Sequence, residues 1–498
     1  MRSSGSDPIV AAFDRLARRH GDQPLVLSSS ATVTVAAIDA MARALARPLT
    51  GARLPAGAPV GLRGGNGVGF LAGLLACRRA GHPVALFDAG VTAGERRVTA
   101  RHLGLAAILH APPGVHALAG PGRGAPRRGG GAFRLARLSG RGRASARDAG
   151  PGALLPASTA VIKLTSGSSG RPRGVACSAE ALLADDEAIR AGMGIGEGDR
   201  LVAAVPFAHS YGLSSLVVPA LTRGLPLLVP DAGVPLAPWL LAQKLGGTVL
   251  PTVPAFAAGL VALADGPAWP ATLRLLITAG APLRPETAAR LRQRYDRSAH
   301  VFYGASEVGG IAYDPSGEAG ERGTVGAPLP GVRLRLEPVA GAGRGAGRLV
   351  VRSGSAALSY LPDPDDALRD GRFVTSDLAR RHGDEVELLG RLDALINVRG
   401  RKIDPHEVER HIARLRPVRD VVVHAVAAPG GGEPRVRAVV ACAPEALDGE
   451  AIRRWCRGRL GDHKVPREVL IVAALPLTAR GKIDREAVTR LPSRRIDG

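Results

Sequence analysis

At 498 residues, 45% of them hydrophobic, the chain is too long for one ordinary domain and apolar enough to bury more than one core. A formal charge of +22 invites an anionic partner, but the basic residues are mostly scattered arginines and only 3% of the chain is aromatic, so a solvated basic surface is the better reading than a nucleic-acid interface. The four cysteines, Cys77, Cys177, Cys442 and Cys456, form no Cys-x-x-Cys pair, which argues against a disulfide framework or zinc knuckle and for a reducing cytoplasm.

The amphipathic segment Ile9 to Ala17 lacks the unbroken apolar core of a secretory signal. Residues 9–110 then alternate helix-like stretches (Ile38 to Ala46, Phe70 to Arg79) with short apolar strands (Pro83 to Phe87, Ala106 to Leu109), which predicts βα units around a largely parallel sheet. Between about Gly120 and Gly150 the composition turns Gly/Arg-rich, the pattern of a surface connection, with only Ala132 to Leu138 strand-like. The most apolar run, Leu213 to Val229, is broken by Arg223, Gly224 and two prolines, so no membrane span is expected. The fold class expected is α/β, with a large multi-sheet N-terminal domain and a small α+β C-terminal one whose strands include Val421 to His424 and Arg437 to Ala441.

The chain is organised around Leu164 to Val175, where Thr165, Ser166, Gly167, Ser168, Ser169 and Gly170 precede Arg171-Pro172-Arg173. Backbone N–H groups and hydroxyls at this density form a concave, donor-rich nest suited to phosphate oxygens. It is not a Walker A loop, since the position five after Gly167 is Pro172. Further on come Ala208-His209-Ser210, the turn Gly280-Ala281-Pro282, Tyr303-Gly304-Ala305-Ser306-Glu307, and the stretch from Tyr360 to Asp377-Leu378. Gly390 to Glu409 and Leu475 to Arg485 complete the series. His406-Glu407 with His411 misses the His-Glu-x-x-His spacing by one residue, and Asp363, Asp365 and Asp366 lack the other ligands of a calcium loop.

Taken together, these segments resemble the signature motifs of the adenylate-forming (AMP-binding) superfamily, which includes acyl- and aryl-CoA synthetases, luciferases and peptide-synthetase adenylation domains. The resemblance implies an N-terminal AMP-binding domain over residues 1–392 and a mobile C-terminal lid over 393–498, hinged near Asp393. It implies that Thr165 to Gly170 and Arg173 grip the β- and γ-phosphates of ATP, and that Gly280, Ala281 and Pro282 border the adenine. Tyr303 would stack on the base beside Gly304, and Ser306 would donate to the α-phosphate. Glu307 would hold Mg2+, Asp377 the ribose and Arg391 ribose or phosphate. His209 and Ser210 would line the acid pocket, Gly400 would lie on the CoA path, and Lys482 would bridge the carboxylate and the α-phosphate.

Among the departures from the superfamily pattern, Arg173 stands for a lysine, Ser376 for a glycine, Asn397 for a lysine, and Ser306 for a threonine whose donor it keeps. The absence of an aspartate in Ala208-His209-Ser210 argues against an α-amino acid and for a fatty or aryl acid. The expected activity is ATP-dependent conversion of a carboxylic acid to acyl-AMP, then transfer to CoA. The alternative acceptor is a carrier protein's phosphopantetheine thiol, which presents the same arm. A non-catalytic nucleotide binder would have no use for Lys482, Glu307 and Asp377 together.

Overall fold

Val, Ile and Leu runs four or five residues long, each followed by a helix, leave both strand faces apolar, so they pack as parallel strands between helical layers. The computed structural model describes residues 7–112, 114, 133–138, 155–166, 172–231, 233–234, 236–340, 342–392, 396–398, 401–403, 405–426, 435–443, 445–457, 459–461, 464–477 and 483–492. The expected Gly/Arg-rich connection lies outside them, apart from residues 133–138, which hold the strand Arg134–Arg137. The chain forms two compact units, Met1–Leu334 with Val351–Phe373, and Arg335–Val350 with Val374–Gly498.

Two large sheets build the first unit. One has seven strands in the order Ser359–Leu361, Pro172–Ser178, Thr159–Ser166, Val84–Asp88, Val60–Gly64, Ala107–His110 and Arg134–Arg137. Its central members pair in parallel, as Val60 with Val84 and Val60 with Ala107. The other has nine strands, with a parallel core of Pro24–Leu27, Leu227–Leu228, Leu201–Val202, Val249–Thr252, Leu275–Thr278 and Ala299–Ala305. Helix Val68–Arg79 is buried from Val68 to Cys77, as an all-round apolar helix must be. A cluster around Trp239, Leu276, Leu291 and Val301 fills the space beside the larger sheet. The apolar run from Leu213 becomes a π-helical turn, Leu213–Val217, then helix Val218–Arg223, stopped by Gly224 in a left-handed conformation. Among the described residues no helix is long and apolar enough to cross a membrane.

The second unit contains most of a five-stranded sheet, in which Arg372–His382 pairs antiparallel with Glu385–Arg391. It also contains a three-stranded sheet of Asp420–Val426, Arg435–Ala441 and Glu468–Val472. Helices Pro405–Ile412 and Gly449–Arg457 cover that sheet over a core of Val408, Ile412, Val423, Val440 and Ile452. All four cysteines are buried and free.

Candidate active site

Parallel strands deliver their functional residues where they end, because the following loop opens outside the carboxyl edge of the sheet. Leu275–Thr278 lies beside Ala299–Ala305, with Thr278 opposite Val301. The exposed turn after the first strand and Tyr303 near the end of the second therefore emerge together. Gly280 has φ +83°, which an unbranched backbone tolerates and a side chain resists. Ala281 and Pro282 continue this exposed turn.

Ala299–Ala305 then reverses into Gly309–Tyr313, with Ala305 opposite Gly309 and a register shift between Tyr303 and Gly304. Ser306 and Glu307 occupy the tight turn between the strands. Asp185, 1% exposed, holds this turn from beneath: its Oδ1 accepts from Gly310 N at 2.8 Å, and its Oδ2 accepts from the Ser214 hydroxyl. Gly309 has φ +67°, and a Cβ there would come within 2.3 Å of the Asp185 carboxyl, so the turn and the aspartate fit only with glycine at that position. Lys163, 2% exposed, donates from Nζ to the Ser306 carbonyl at 3.4 Å. Glu307 accepts at its backbone carbonyl from Ala357 N at 2.7 Å and at Oε1 from the Tyr360 hydroxyl at 2.9 Å. Burial and the neighbouring Glu307 carboxylate push the Tyr360 phenol well above its ordinary range, so it stays a donor.

The phosphate-loop segment is a β-hairpin in which Thr165 pairs with Arg173 and Ser166 with Pro172. Gly167, Ser168, Ser169 and Gly170 lie outside the described residues, and Ser166 is described by its backbone alone. The Arg173 guanidinium lies over the Tyr360 ring, Cζ 3.8 Å from its centroid. It also donates from Nη2 to Asp363 O at 3.3 Å and approaches Asp365 Oδ2 at 3.4 Å.

On the acid side, His209 precedes the turn Ser210–Gly212. Asn66 fixes the approach to it, donating to Ala203 O and Val205 O at 2.9 Å each and accepting from Phe207 N at 2.8 Å. Tyr211 donates to Ile277 O at 3.2 Å and packs on Phe302, tying this segment to the strand that ends in the Gly280 turn. His209 Nε2 stands 3.4 Å from Asp88 Oδ2, at the carboxyl end of Val84–Asp88. A carboxylate is therefore beside the expected acid-pocket histidine after all, supplied by another strand rather than by the Ala208-His209-Ser210 segment.

In the second unit Asp377 and Arg391 are direct cross-strand partners, so the sheet itself brings the ribose candidate and its neighbouring cation together. Asp377 N donates to Thr375 Oγ1 at 2.9 Å, and Thr375 Oγ1 donates to Leu349 O at 2.8 Å. Ser376 sits inside a continuous strand and is absent from the residues with positive φ, so serine fits there without strain. Glu407 pairs with Lys464 at 2.7 Å. Glu409, 8% exposed, accepts from Val423 N, His406 Nδ1 and Arg485 Nη2, each at 2.8 Å. Burial pushes its carboxyl up, but the bonds from His406 and Arg485 outweigh it and the value ends below normal. Asp393, Gly400 and Lys482 lie outside the described residues, although an antiparallel bridge joins Leu477 to Ile483 and Asp484 N donates to Pro476 O at 2.9 Å.

Sequence reasoning passed over Lys163, Asp185, Asp88 and the Tyr360 hydroxyl. A lysine within the apolar strand Thr159–Ser166 was the available signal for one of them. The others are joined to their targets only by tertiary structure.

The AMP-binding enzyme profile matches residues 13–361, and the AMP-binding enzyme C-terminal domain profile matches residues 407–482. A sulfoacetate–CoA ligase of Cupriavidus necator is 29% identical over 342 residues, an alignment covering 66% of this chain and 66% of that protein, just under two thirds of its length. A feruloyl-CoA synthase of an Amycolatopsis species is 27% identical over 494 residues, covering 96% of this chain and 97% of that protein. In fold, the chain resembles the o-succinylbenzoate CoA synthetase of Bacillus subtilis, solved with its acyl-adenylate intermediate, at TM-score 0.79 and 19% identity over 97% of this chain and 98% of that one.

Proposed function

This chain belongs to the AMP-binding enzyme family, and we propose that it is an AMP-forming carboxylic acid:CoA ligase. The observation that carries the reading is the turn Ser306-Glu307, tied down by Asp185 and Lys163 beside the phosphate-loop hairpin and the Gly280 turn. Two of the relatives described above are named for CoA thioester synthesis, one of them over nearly the whole chain.

In the first half-reaction a carboxylate oxygen of the acid attacks the α-phosphorus of ATP, and the bond to the pyrophosphate oxygen breaks. Two anions must approach each other, so cations and donors supply the catalysis. The Thr165 hydroxyl and Arg173 serve the β- and γ-phosphates, Ser306 the α-phosphate, and Lys482 the oxygens of both reactants. Tyr303 and the Gly280 turn receive adenine, and Asp377 with Arg391 receives the ribose side. Among the described residues no group of three or more His, Cys, Asp or Glu could hold a metal. A single carboxylate is what a nucleotide-borne Mg2+ asks for, since most of its ligands are phosphate oxygens and water. Glu307 fits, and the ion would neutralise charge on the leaving group.

In the second half-reaction the CoA thiol attacks the acyl carbonyl, and AMP leaves with the electron pair of the anhydride bond. By resemblance, Asp393 would be the pivot between the half-reactions and Gly400 would lie on the thiol path. The acid is fatty or aryl, held beside His209 and Ser210. Acid-dependent ATP–pyrophosphate exchange over fatty and aryl acids, followed by mass detection of the CoA thioester, tests the reading. Exchange with no acid in the panel, or exchange whose product passes to a carrier protein and never to CoA, would overturn it.

A further inference from the structure

Glu307 on the metal side of the nucleotide and Arg173 on the phosphate side must be kept in step if both are to meet one ATP. We infer that Tyr360 is the positioning residue that joins them, its hydroxyl orienting Glu307 and its ring carrying Arg173; the inference rests on the reading of Glu307 and Arg173 given above.

Tyr360 is 6% exposed and lies in the edge strand Ser359–Leu361. There it pairs with Val175 on the strand that also holds Arg173, so the ladder fixes the distance between tyrosine and arginine. The two ends of the side chain do different work. The hydroxyl donates to Glu307 Oε1 at 2.9 Å, which takes up one carboxylate oxygen and sets the direction of the other. The ring face receives the Arg173 guanidinium, Cζ 3.8 Å from the centroid, a cation–π contact in which arginine is found more often than lysine. The arginine that replaces the superfamily's lysine therefore has a platform suited to it. Asp363 O and Asp365 engage the guanidinium from another side.

The experiment measures ATP affinity by calorimetry on the full chain without acid, so that nothing turns over, once in EDTA and once in saturating Mg2+. Y360F keeps the ring and loses the hydroxyl; the expected result is a Mg2+-dependent gain in affinity reduced about tenfold, with affinity in EDTA unchanged to within about twofold. Y360L loses both ends, and its affinity in EDTA should fall as well. E307Q is the control on the premise and should lose the Mg2+-dependent gain. If E307Q loses the gain while Y360F keeps it, the inference about Tyr360 is overturned and the assignment of Glu307 stands. If E307Q keeps the gain, the assignment of Glu307 fails and takes the inference with it. Equal affinities of Y360F and Y360L in EDTA would overturn the role of the ring.

Discussion

Two buried carboxylates, Asp185 in the first unit and Glu409 in the second, are held by opposite means. Asp185 accepts from neutral donors, the Ser214 hydroxyl and the Gly310 N–H, and it fixes a turn. Glu409 accepts from Val423 N–H and from the side chains of His406 and Arg485, and it ties a helix to a strand and to the segment following Ile483. Neutral donors aimed by backbone and packing are little affected by salt, whereas an ionic tie to a partly exposed arginine is screened by it. The first unit thus presents its turn on a fixed mount, and the second holds its terminal segment by charge.

The largest effect should come from Lys482→Ala, which tests whether the ionically held unit carries chemistry. Adenylation measured by pyrophosphate exchange should fall by about 10²-fold or more, with thioester formation from supplied acyl-AMP little changed. Equal loss of both half-reactions would break the division of labour. Next, Asp185→Asn keeps one accepting oxygen but turns an amide NH2 toward the other donor, and the expected loss is about 2–3 kcal/mol in urea unfolding, with weaker ATP binding because the Ser306-Glu307 turn loosens. High salt should not change that loss.

The third prediction concerns acid. Because the folded value of Glu409 lies below its ordinary 4.5, its contribution is complete above pH 4.5 and is lost as pH falls through the folded value. Arg485→Met should remove about 1 kcal/mol at neutral pH, a low figure because the arginine side chain is 45% exposed, and should flatten the acid dependence of the second unit's unfolding. An unchanged acid profile would remove Glu409 from the comparison. The smallest effect should be that of Asp365→Ala, which frees one side of the Arg173 guanidinium; ATP affinity in EDTA should rise about twofold, in a titration at low ionic strength.

Much of this architecture can be read from the chain itself. The strand at Val84–Asp88, the helices at Val68–Arg79 and Ala179–Met193, and the delivery of Tyr303 by the strand Ala299–Ala305 follow from local apolar runs, their lengths and their composition. Asp377 and Arg391 could be picked out singly from their motifs, but their pairing is a matter of register, which a motif does not carry. Asp88 beside His209 shows the same limit. A carboxylate 121 positions earlier in the chain enters the acid side through sheet topology, and no local window reaches it. Asp185 was hidden differently, since a helix of mixed composition gives no sign of which acidic residue faces inward until the opposing turn and its Gly309 are in place.

The four thiols bear on a hazard particular to mixed anhydrides, which acylate any thiolate they meet. Cys77 is pushed up to about 12 and Cys456 to about 11, chiefly by burial, and Cys177 and Cys442 are raised for the same reason. An enzyme making acyl-AMP with these cysteines keeps its own sulfur protonated and out of reach, so the sole competent nucleophile of that kind is the one diffusing in.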